Sequence, residues 1–220
     1  MTNLLEIKKL SVSFQTEYET TYAVRDVSIT LSPGEVLGIV GESGAGKSTI
    51  GNAIVNLLEP PGEITTGEVL FKGQDLRNLD DKEMRDVRGK KIGMIFQDPQ
   101  TSLNPLMTIG AQLIETINKT INLYGSEATN KAIELLESVG IDEPEARLNL
   151  YPHQFSGGMR QRVVIALALA GDPDLIIADE PTTALDVSIQ AQILDLIKKL
   201  CQERQVGVII ITHDIGVIAN

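Results

Sequence analysis

The sequence feature that most constrains this chain is the glycine-rich stretch GESGAGKST, which directly follows the apolar run VLGIV. The stretch fits the pattern G-x-x-x-x-G-K-[ST] at four positions, Gly41, Gly46, Lys47 and Ser48. Glycines let backbone N–H groups turn inward and approach a phosphate closely, and a helix that begins there adds partial positive charge. We therefore predict a phosphate-binding loop between a strand and a helix.

The loop residues have predicted roles in binding a nucleotide. Lys47 is expected to reach the β and γ phosphates, and the Ser48 hydroxyl is expected to bind Mg²⁺. A glycine-rich loop that binds nothing is the alternative, and the flanking strand and helix argue against it. The predicted nucleotide contacts span the whole loop: Gly41, Glu42, Ser43, Gly44, Ala45, Gly46, Lys47, Ser48 and Thr49.

Polar side chains follow three further apolar runs. Gln97 follows IGMIF, the pair Asp179 and Glu180 follows LIIA, and His213 follows VIIIT. Strands that alternate with helices indicate a parallel α/β sheet, and such sheets bind ligands at the carboxyl edge of their strands. We therefore expect the loop and these four side chains to converge on one nucleotide.

Phosphoryl transfer to water needs a metal, a cationic clamp and a group that activates the water. Asp179 is expected to hold Mg²⁺, directly or through water, with Lys47 as the clamp. Glu180 is expected to act as the general base. Gln97 would coordinate Mg²⁺ or position the water, and His213 would bond the γ-phosphate or orient the water. Each residue alone has a structural explanation, but their combination with the phosphate loop favours catalysis.

Periodicity supplies the rest of the fold. LLEIKKLSVSF and AVRDVSITL alternate with period two and predict strands, whereas VLGIV is expected to be a strand buried on both faces. Residues 108–140 are expected to be mostly helical, with one apolar face formed by Ala132, Leu135, Leu136 and Val139. The segment SIQAQILDLIKKLCQER predicts a helix with an inward face of Ile189, Ile193, Leu196, Ile197 and Leu200.

Composition excludes several classes of function. The net charge of −11 argues against nucleic acid as the main partner, because phosphate binding favours a basic face. Cys201 is the one cysteine, so it is expected to be a small apolar residue on a helix rather than half of an internal disulfide. The apolar runs are shorter than the ~18 residues of a membrane span, and MTNLLEIKKL lacks the apolar core of a signal peptide. We therefore expect a cytoplasmic chain that reaches a membrane only through a partner.

The segment FSGGMRQR, Phe155 to Arg162, resembles the signature motif of the ATP-binding-cassette (ABC) ATPases, usually written L-S-G-G-Q. The order of the other motifs is also similar: GESGAGKS, IFQD, LIIADEP, ALD (Ala184 to Asp186) and ITHD. FQDPQTSLNP, YPHQFSGGMRQRV and ADEPTTALDVSIQAQIL resemble one branch, the ATPase subunits of prokaryotic importers of dipeptides and oligopeptides, with nickel and glutathione relatives. The resemblance covers essentially the whole chain.

The resemblance implies an α/β P-loop fold with a mostly parallel sheet, an N-terminal antiparallel β subdomain and an inserted α-helical subdomain at about 99–151. Residues 1–220 would form one nucleotide-binding domain, and the family's usual C-terminal part would be missing. The signature differs from the general family in Phe155 and Met159, but methionine is common in the peptide-importer branch.

The resemblance also implies that two cassettes enclose two ATP molecules head to tail. Backbone N–H groups of Ser156, Gly157 and Gly158 would bind the γ-phosphate in the partner cassette's site, and Asp186 would connect the two sites. An aromatic ring would stack on the adenine. Phe14 fits the family position best and Tyr22 is the alternative.

The implied partners are a second ATPase subunit, identical or merely similar, two membrane-spanning permease subunits and, indirectly, a solute-binding protein. The chain would bind ATP and Mg²⁺ at the cytoplasmic face of a prokaryotic membrane. Its helical subdomain would dock onto the permease's coupling helix, and Gln97 would link that subdomain to the metal.

Three other functions fit the sequence less well. Cassette ATPases that act on chromosomes carry a long coiled coil between the phosphate loop and the signature motif. Here the ~110 residues between Ser48 and Ser156 contain no sustained heptads. Cassette ATPases that act on ribosomes usually carry two cassettes in one chain. A small-molecule kinase would not need SGG or a downstream His213. A regulatory cassette without catalysis would not need Glu180, His213 and Lys47, all of which are present.

Overall fold

The structure, a computed structural model, describes residues 3–183 and 185–214, so Ala184 of the ALD motif lies outside the described residues. The strands are β1 Leu5–Gln15, β2 Thr20–Leu31, β3 Val36–Val40, β4 Gly62–Phe71, β5 Gln74–Asp75, β6 Ile92–Ile95, β7 Leu175–Asp179 and β8 Gly207–Thr212. The helices are α1 Lys47–Ile54, α2 Asp81–Val87, α3 Pro99–Ser102, α4 Ile109–Ile121, α5 Gly125–Ser138, α6 Pro144–Arg147, α7 Gly157–Leu169 and α8 Val187–Arg204. Short 3₁₀ turns cover Leu76–Asn78 and Pro152–Gln154.

The strands form two four-stranded sheets, and this confirms the predicted fold class. One sheet is antiparallel with the order β2-β1-β4-β5, and the other is parallel with the order β3-β8-β7-β6. The period-two strand β1 buries Leu5, Ile7, Leu10 and Val12 beneath the antiparallel sheet. These side chains pack in one hydrophobic core with α1 and with the side chains on one face of the parallel sheet.

The prediction that VLGIV is buried on both faces is wrong. Among the described residues β3 pairs with β8 alone, and its ends Val36 and Val40 are 38% and 39% exposed. The inner strand β8 is buried along its whole length. A continuous apolar run predicts a parallel strand but does not distinguish an edge from a central position.

A mostly helical segment, α3 to α6, lies between β6 and α7, and the predicted helical stretch 108–140 is confirmed as α4 and α5. The predicted apolar face is fully buried, with 0% exposure at Ala132, Leu135 and Leu136 of α5 and at Val139 directly after it. Thr108 caps α4 by accepting a hydrogen bond from the Ala111 N–H at 3.2 Å. The helices α4, α5 and α7 share a second hydrophobic core with α8 and the other side of the parallel sheet.

The long helix α8 agrees with its predicted inward face. Ile193, Ile197 and Leu200 are buried, and Ile189 and Leu196 pack partly buried against the same core. Cys201 is also buried on α8, as predicted for a small apolar residue, and its thiol donates to the Val206 carbonyl at 2.8 Å. In the described part of the chain, every helix is too short or too polar to cross a membrane.

Candidate active site

The glycine-rich loop connects β3 to α1, as the sequence predicts. Gly44 and Gly46 both adopt φ of +82°, a left-handed conformation that is unfavourable for residues with a Cβ atom. A Cβ on Gly46 would lie 2.1 Å from the carbonyl oxygen of Ala23 in β2, so the loop packs directly on the backbone of that strand. Only glycine fits this position without moving the loop.

Lys47 begins α1 and folds back over the loop. Its side-chain Nζ donates to the carbonyl oxygens of Gly41 at 2.9 Å and Glu42 at 2.7 Å, and the residue is 7% exposed. An ammonium group carries three N–H donors, so these two bonds fix its position and leave one for a phosphate oxygen. The lysine is therefore held at the mouth of the loop that the sequence predicts to bind phosphate.

Ser48 and Asp179 meet across the site, 131 residues apart in sequence. The Ser48 hydroxyl donates to Asp179 Oδ1 at 2.9 Å. Burial raises the pKa of Asp179, and the neighbouring charge of Glu180 adds to this, against the lowering effects of the Ser48 hydrogen bond and the Lys47 charge. A hydroxyl and a carboxylate at this distance are oxygen ligands of the kind that Mg²⁺ prefers.

In the described part of the chain, the pair Ser48 and Asp179 belongs to no larger cluster of His, Cys, Asp or Glu side chains that could hold a metal ion. Within residues 3–183 and 185–214, no group of three or more His, Cys, Asp or Glu side chains is arranged to hold a metal ion. Mg²⁺ ordinarily takes one or two protein ligands and completes its shell with water and substrate phosphates. The pair Ser48 and Asp179 beside a phosphate loop fits that pattern.

The ends of three strands meet at the Glu180 carboxylate. Gln97 Nε2 donates to Glu180 Oε2 at 2.9 Å, and His213 Nδ1 lies 3.2 Å from Glu180 Oε1. Asp179 ends β7 immediately before Glu180, which itself adopts φ of +47°. The structure therefore brings these four side chains together at one edge of the sheet, and their convergence on a nucleotide stays a prediction.

The surroundings of Glu180 favour its ionised form. Burial raises the pKa of this carboxyl, but hydrogen bonds from Thr183 and His213 oppose burial and bring the pKa below its ordinary value. The positive charges of Lys47 and of a protonated His213 act in the same direction. Glu180 is thus a carboxylate at neutral pH and has the charge state that a proton acceptor requires.

The SGG segment opens α7. The Ser156 hydroxyl accepts a hydrogen bond from the Met159 N–H at 3.3 Å and caps the helix. A Cβ on Gly158 would lie 2.9 Å from the Ile189 side chain of α8, so the start of α7 sits close against α8. Asp186 is exposed at the N-terminus of α8, where its carbonyl oxygen accepts from the Ile189 N–H at 2.9 Å.

Comparison with known proteins decides the family. Residues 24–183 match the family described as ABC transporter. The chain belongs to the ABC transporter family. The segment matched includes the phosphate loop, Gln97, the SGG segment and the pair Asp179 and Glu180, so the resemblance drawn from these motifs is confirmed.

Three relatives of this chain are named as peptide-transport ATP-binding proteins. The oligopeptide transport ATP-binding protein OppD of Bacillus subtilis is 57% identical over 100% of this chain, and the dipeptide transport ATP-binding protein DppD of the same species is 53% identical over 100%. DppD of Escherichia coli is 49% identical over 99% of the chain. The chain spans 62% to 66% of the length of these three relatives.

Solved ABC cassettes share the fold. The ATP-binding cassette MJ0796, in a dimeric post-hydrolysis state bound to ADP and Pi, superposes with a TM-score of 0.83 at 35% identity and covers 97% of this chain and 89% of its own. CbiO1 from Clostridium perfringens, part of the ABC transporter complex cbiONQ, gives a TM-score of 0.82 at 26% identity and covers 99% and 81%.

The two candidate adenine-stacking residues both lie on the antiparallel sheet of this ABC cassette. Phe14 is half-buried, and its ring fills the space beside Gly62, where a Cβ would lie 2.7 Å from Cε1. Tyr22 is 47% exposed, and the Arg25 guanidinium lies 4.9 Å from its ring centre. Tyr22 also directly precedes Ala23, the residue against which the phosphate loop packs. Both rings remain candidates.

The sequence does not reveal two polar side chains that bond the loop after β7, namely Thr183 within the loop and Gln190 on α8. The Thr183 hydroxyl donates to Glu180 Oε2 at 2.9 Å. Gln190 Nε2 donates to the carbonyl oxygens of Thr182 at 3.3 Å and Leu185 at 3.0 Å, which ties α8 to this loop. Threonine hydroxyls commonly bond backbone groups three or four residues earlier, but here the hydroxyl bonds the Glu180 side chain, a contact that no local sequence pattern signals.

Proposed function

We propose that the chain is the ATP-binding and ATP-hydrolysing cassette of an importer of dipeptides or oligopeptides. One observation carries the proposal. The phosphate-loop residue Ser48 is bonded to Asp179, while the adjacent Glu180 is held by Gln97 and His213, so a phosphate site and a proton acceptor stand side by side.

The phosphates of ATP would bind in the loop. The loop N–H groups and the start of α1 face the negative charge, and Lys47 is already fixed at its mouth. Ser48 and Asp179 are the proposed Mg²⁺ ligands, with Gln97 as a further ligand or as the residue that positions water. When bound, Mg²⁺ would offset the negative charge of the phosphate oxygens.

Hydrolysis would proceed by direct attack of water on the γ-phosphorus. The water gives one proton to the Glu180 carboxylate while its oxygen bonds to phosphorus, and the bond from phosphorus to the bridging oxygen breaks. ADP leaves with that electron pair, and inorganic phosphate is the second product. His213, 57% exposed beside Glu180, would bond the γ-phosphate or orient the water.

A second cassette would complete each site. The start of α7, where Ser156 and Gly157 are exposed and Gly158 is half-buried, would bind the γ-phosphate of the partner's ATP, and Asp186 would connect the two sites. The dimeric state of the related cassette MJ0796 supports this arrangement. The partner is a second copy of this chain or a similar ATPase subunit.

The peptide-importer assignment comes from the relatives. Their names describe oligopeptide and dipeptide transport ATP-binding proteins. We infer that residues 1–220 form one nucleotide-binding domain, that its helical part at 99–151 docks onto two permease subunits at the cytoplasmic face of the membrane, and that a solute-binding protein delivers the peptide. The net charge of −11 disfavours nucleic acid as a partner, because phosphate binding favours a basic face.

The experiment compares ATP hydrolysis by the full-length protein with that of Glu180→Gln, which preserves shape but removes the proton acceptor. We expect kcat to fall by about 100-fold or more while ATP still binds. Glu137→Gln, the same change on the exposed surface of α5, is the control and should keep the full rate. An active Glu180→Gln protein would contradict the role of Glu180.

A transport assay tests the substrate class. Cells that lack the gene should lose uptake of labelled dipeptides or oligopeptides, and the unmodified gene should restore it. Restored ATPase activity without restored peptide uptake would contradict the importer assignment and leave the ATPase assignment standing.

A further inference from the structure

The Glu180 carboxylate has a partner that is not at the end of a strand. The Thr183 hydroxyl donates to Glu180 Oε2 at 2.9 Å, and the Thr183 backbone N–H donates to the Glu180 carbonyl oxygen at 3.1 Å. A backbone turn and a side-chain hydrogen bond therefore join the same two residues. Because 14% of the Glu180 side chain is exposed, water competes little for the side-chain bond.

The three partners of the carboxylate differ in how closely they are tied to it. Gln97 follows β6 and His213 follows β8, so both reach Glu180 from other strands of the sheet. Thr183 lies within the same turn as Glu180, and its hydroxyl moves with the carboxylate. In the proposed function Gln97 and His213 also contact the metal, the water or the γ-phosphate. Thr183 has no proposed role apart from its bond to Glu180.

The two carboxylate oxygens are consequently not equivalent. Oε2 accepts hydrogen bonds from Gln97 and from Thr183, both at 2.9 Å, whereas Oε1 faces His213 at a longer 3.2 Å. When Gln97 turns to the metal or the water, the Thr183 hydroxyl still holds Oε2. Oε1 is then the oxygen that can turn toward a water molecule.

We propose that Thr183 is a positioning residue for hydrolysis, and this rests on the proposed role of Glu180 as general base. The Thr183 hydroxyl fixes Oε2, and Oε1 takes the proton from the attacking water. The water oxygen bonds to the γ-phosphorus, the bond to the bridging oxygen breaks, and ADP leaves with the electron pair. Loss of the hydroxyl frees the carboxylate to rotate away from the water.

A merely structural role for Thr183 makes a different prediction. Threonine hydroxyls often stabilise turns, and removal of such a bond lowers stability without a specific effect on the chemical step. A positioning role instead lowers kcat and leaves KM for ATP nearly unchanged, because the phosphate loop that binds ATP is intact. The split between kcat and KM therefore separates the two roles.

The experiment measures steady-state ATP hydrolysis by the full-length protein and two variants. Thr183→Val replaces the hydroxyl with a methyl group of similar size, and Thr183→Ser keeps the hydroxyl. Small misplacements of a catalytic group can cost up to about 100-fold in rate, so we expect a fall in kcat of about 10-fold or more for the valine variant, with KM within about twofold. The serine variant should keep kcat within about threefold of the unmodified protein.

A double-mutant cycle adds a second readout. In the Glu180→Gln background, the additional change Thr183→Val should cause no further loss of the residual rate, because residues that act as a unit are not additive. Thr129→Val is the matched control: it removes a hydroxyl bond to the Gly125 carbonyl at 3.1 Å on α5 and should leave kcat unchanged. If the valine variant unfolds, Thr183→Ala takes its place.

Several results would overturn the inference. These are an unchanged kcat in the valine variant, equal losses in the serine and valine variants, or a further loss in the Glu180→Gln background. Failure of the proposed function gives a different result from failure of the Thr183 inference alone. In that case Glu180→Gln would leave hydrolysis unchanged, or the unmodified protein would not hydrolyse ATP. Either result would also contradict the inference about Thr183.

Discussion

Two glycines of the phosphate loop share a backbone conformation but differ in their surroundings. Gly44 and Gly46 both adopt φ of +82°. A Cβ on Gly46 would lie 2.1 Å from the Ala23 carbonyl oxygen, whereas a Cβ on Gly44 would meet nothing within 4 Å. Alanine in the left-handed region costs about 1 kcal/mol or slightly more at either position. At Gly46 the clash with a backbone atom adds about 1–3 kcal/mol, because no side-chain rotation relieves it.

We therefore expect Gly44→Ala to lower the free energy of unfolding by about 1 kcal/mol and Gly46→Ala by about 2–4 kcal/mol. In a domain of this size, 1 kcal/mol corresponds to about 2–4 °C in Tm. Gly46→Ala should also weaken ATP binding, because the loop must shift away from β2. Denaturant unfolding and binding of a fluorescent ATP analogue measure both effects. Equal losses in the two variants would refute the packing of Gly46 on β2.

Three further predictions follow from the site and the core. Gln97→Ala should leave ATP binding intact but reduce hydrolysis and transport, and unchanged transport would contradict its coupling role. Of Phe14→Ala and Tyr22→Ala, the variant that removes the adenine platform should raise the Kd for ATP by about 5- to 100-fold, and no change in either would exclude both rings. Burial raises the pKa of the Cys201 thiol, so native protein should react with iodoacetamide at pH 8 only as it unfolds, and rapid labelling of the folded protein would contradict the burial.

The local parts of the site could be predicted from the sequence because local patterns encode them. The loop needs glycines at fixed spacing, and an apolar run followed by a polar residue marks the end of a strand. The parallel sheet then brings Gln97, Glu180 and His213 together, and this proximity follows from the topology. The helical face of α5 followed equally from its period of 3.6 residues.

Other features depend on tertiary context that the local pattern does not contain. VLGIV resembles an inner strand in composition, yet β3 pairs with β8 alone among the described strands. Thr183 and Gln190 are ordinary polar residues in sequence, and their contacts arise only when the loop after β7 folds against itself and against α8. The choice between Phe14 and Tyr22 depends on where the base lies, which local sequence does not encode.

In the proposed function, Glu180 is the proton acceptor of an ATP site shared by two cassettes. The most direct test is size-exclusion chromatography with light scattering on the full-length protein and its Glu180→Gln variant in Mg-ATP. We expect a stable ATP-bound dimer for Glu180→Gln and at most a transient dimer for the unmodified protein, because hydrolysis releases the two cassettes. The measurement is repeated with the candidate partner ATPase subunit and the permease subunits present. If both proteins bind ATP but neither associates with a second cassette under any of these conditions, the shared site is contradicted.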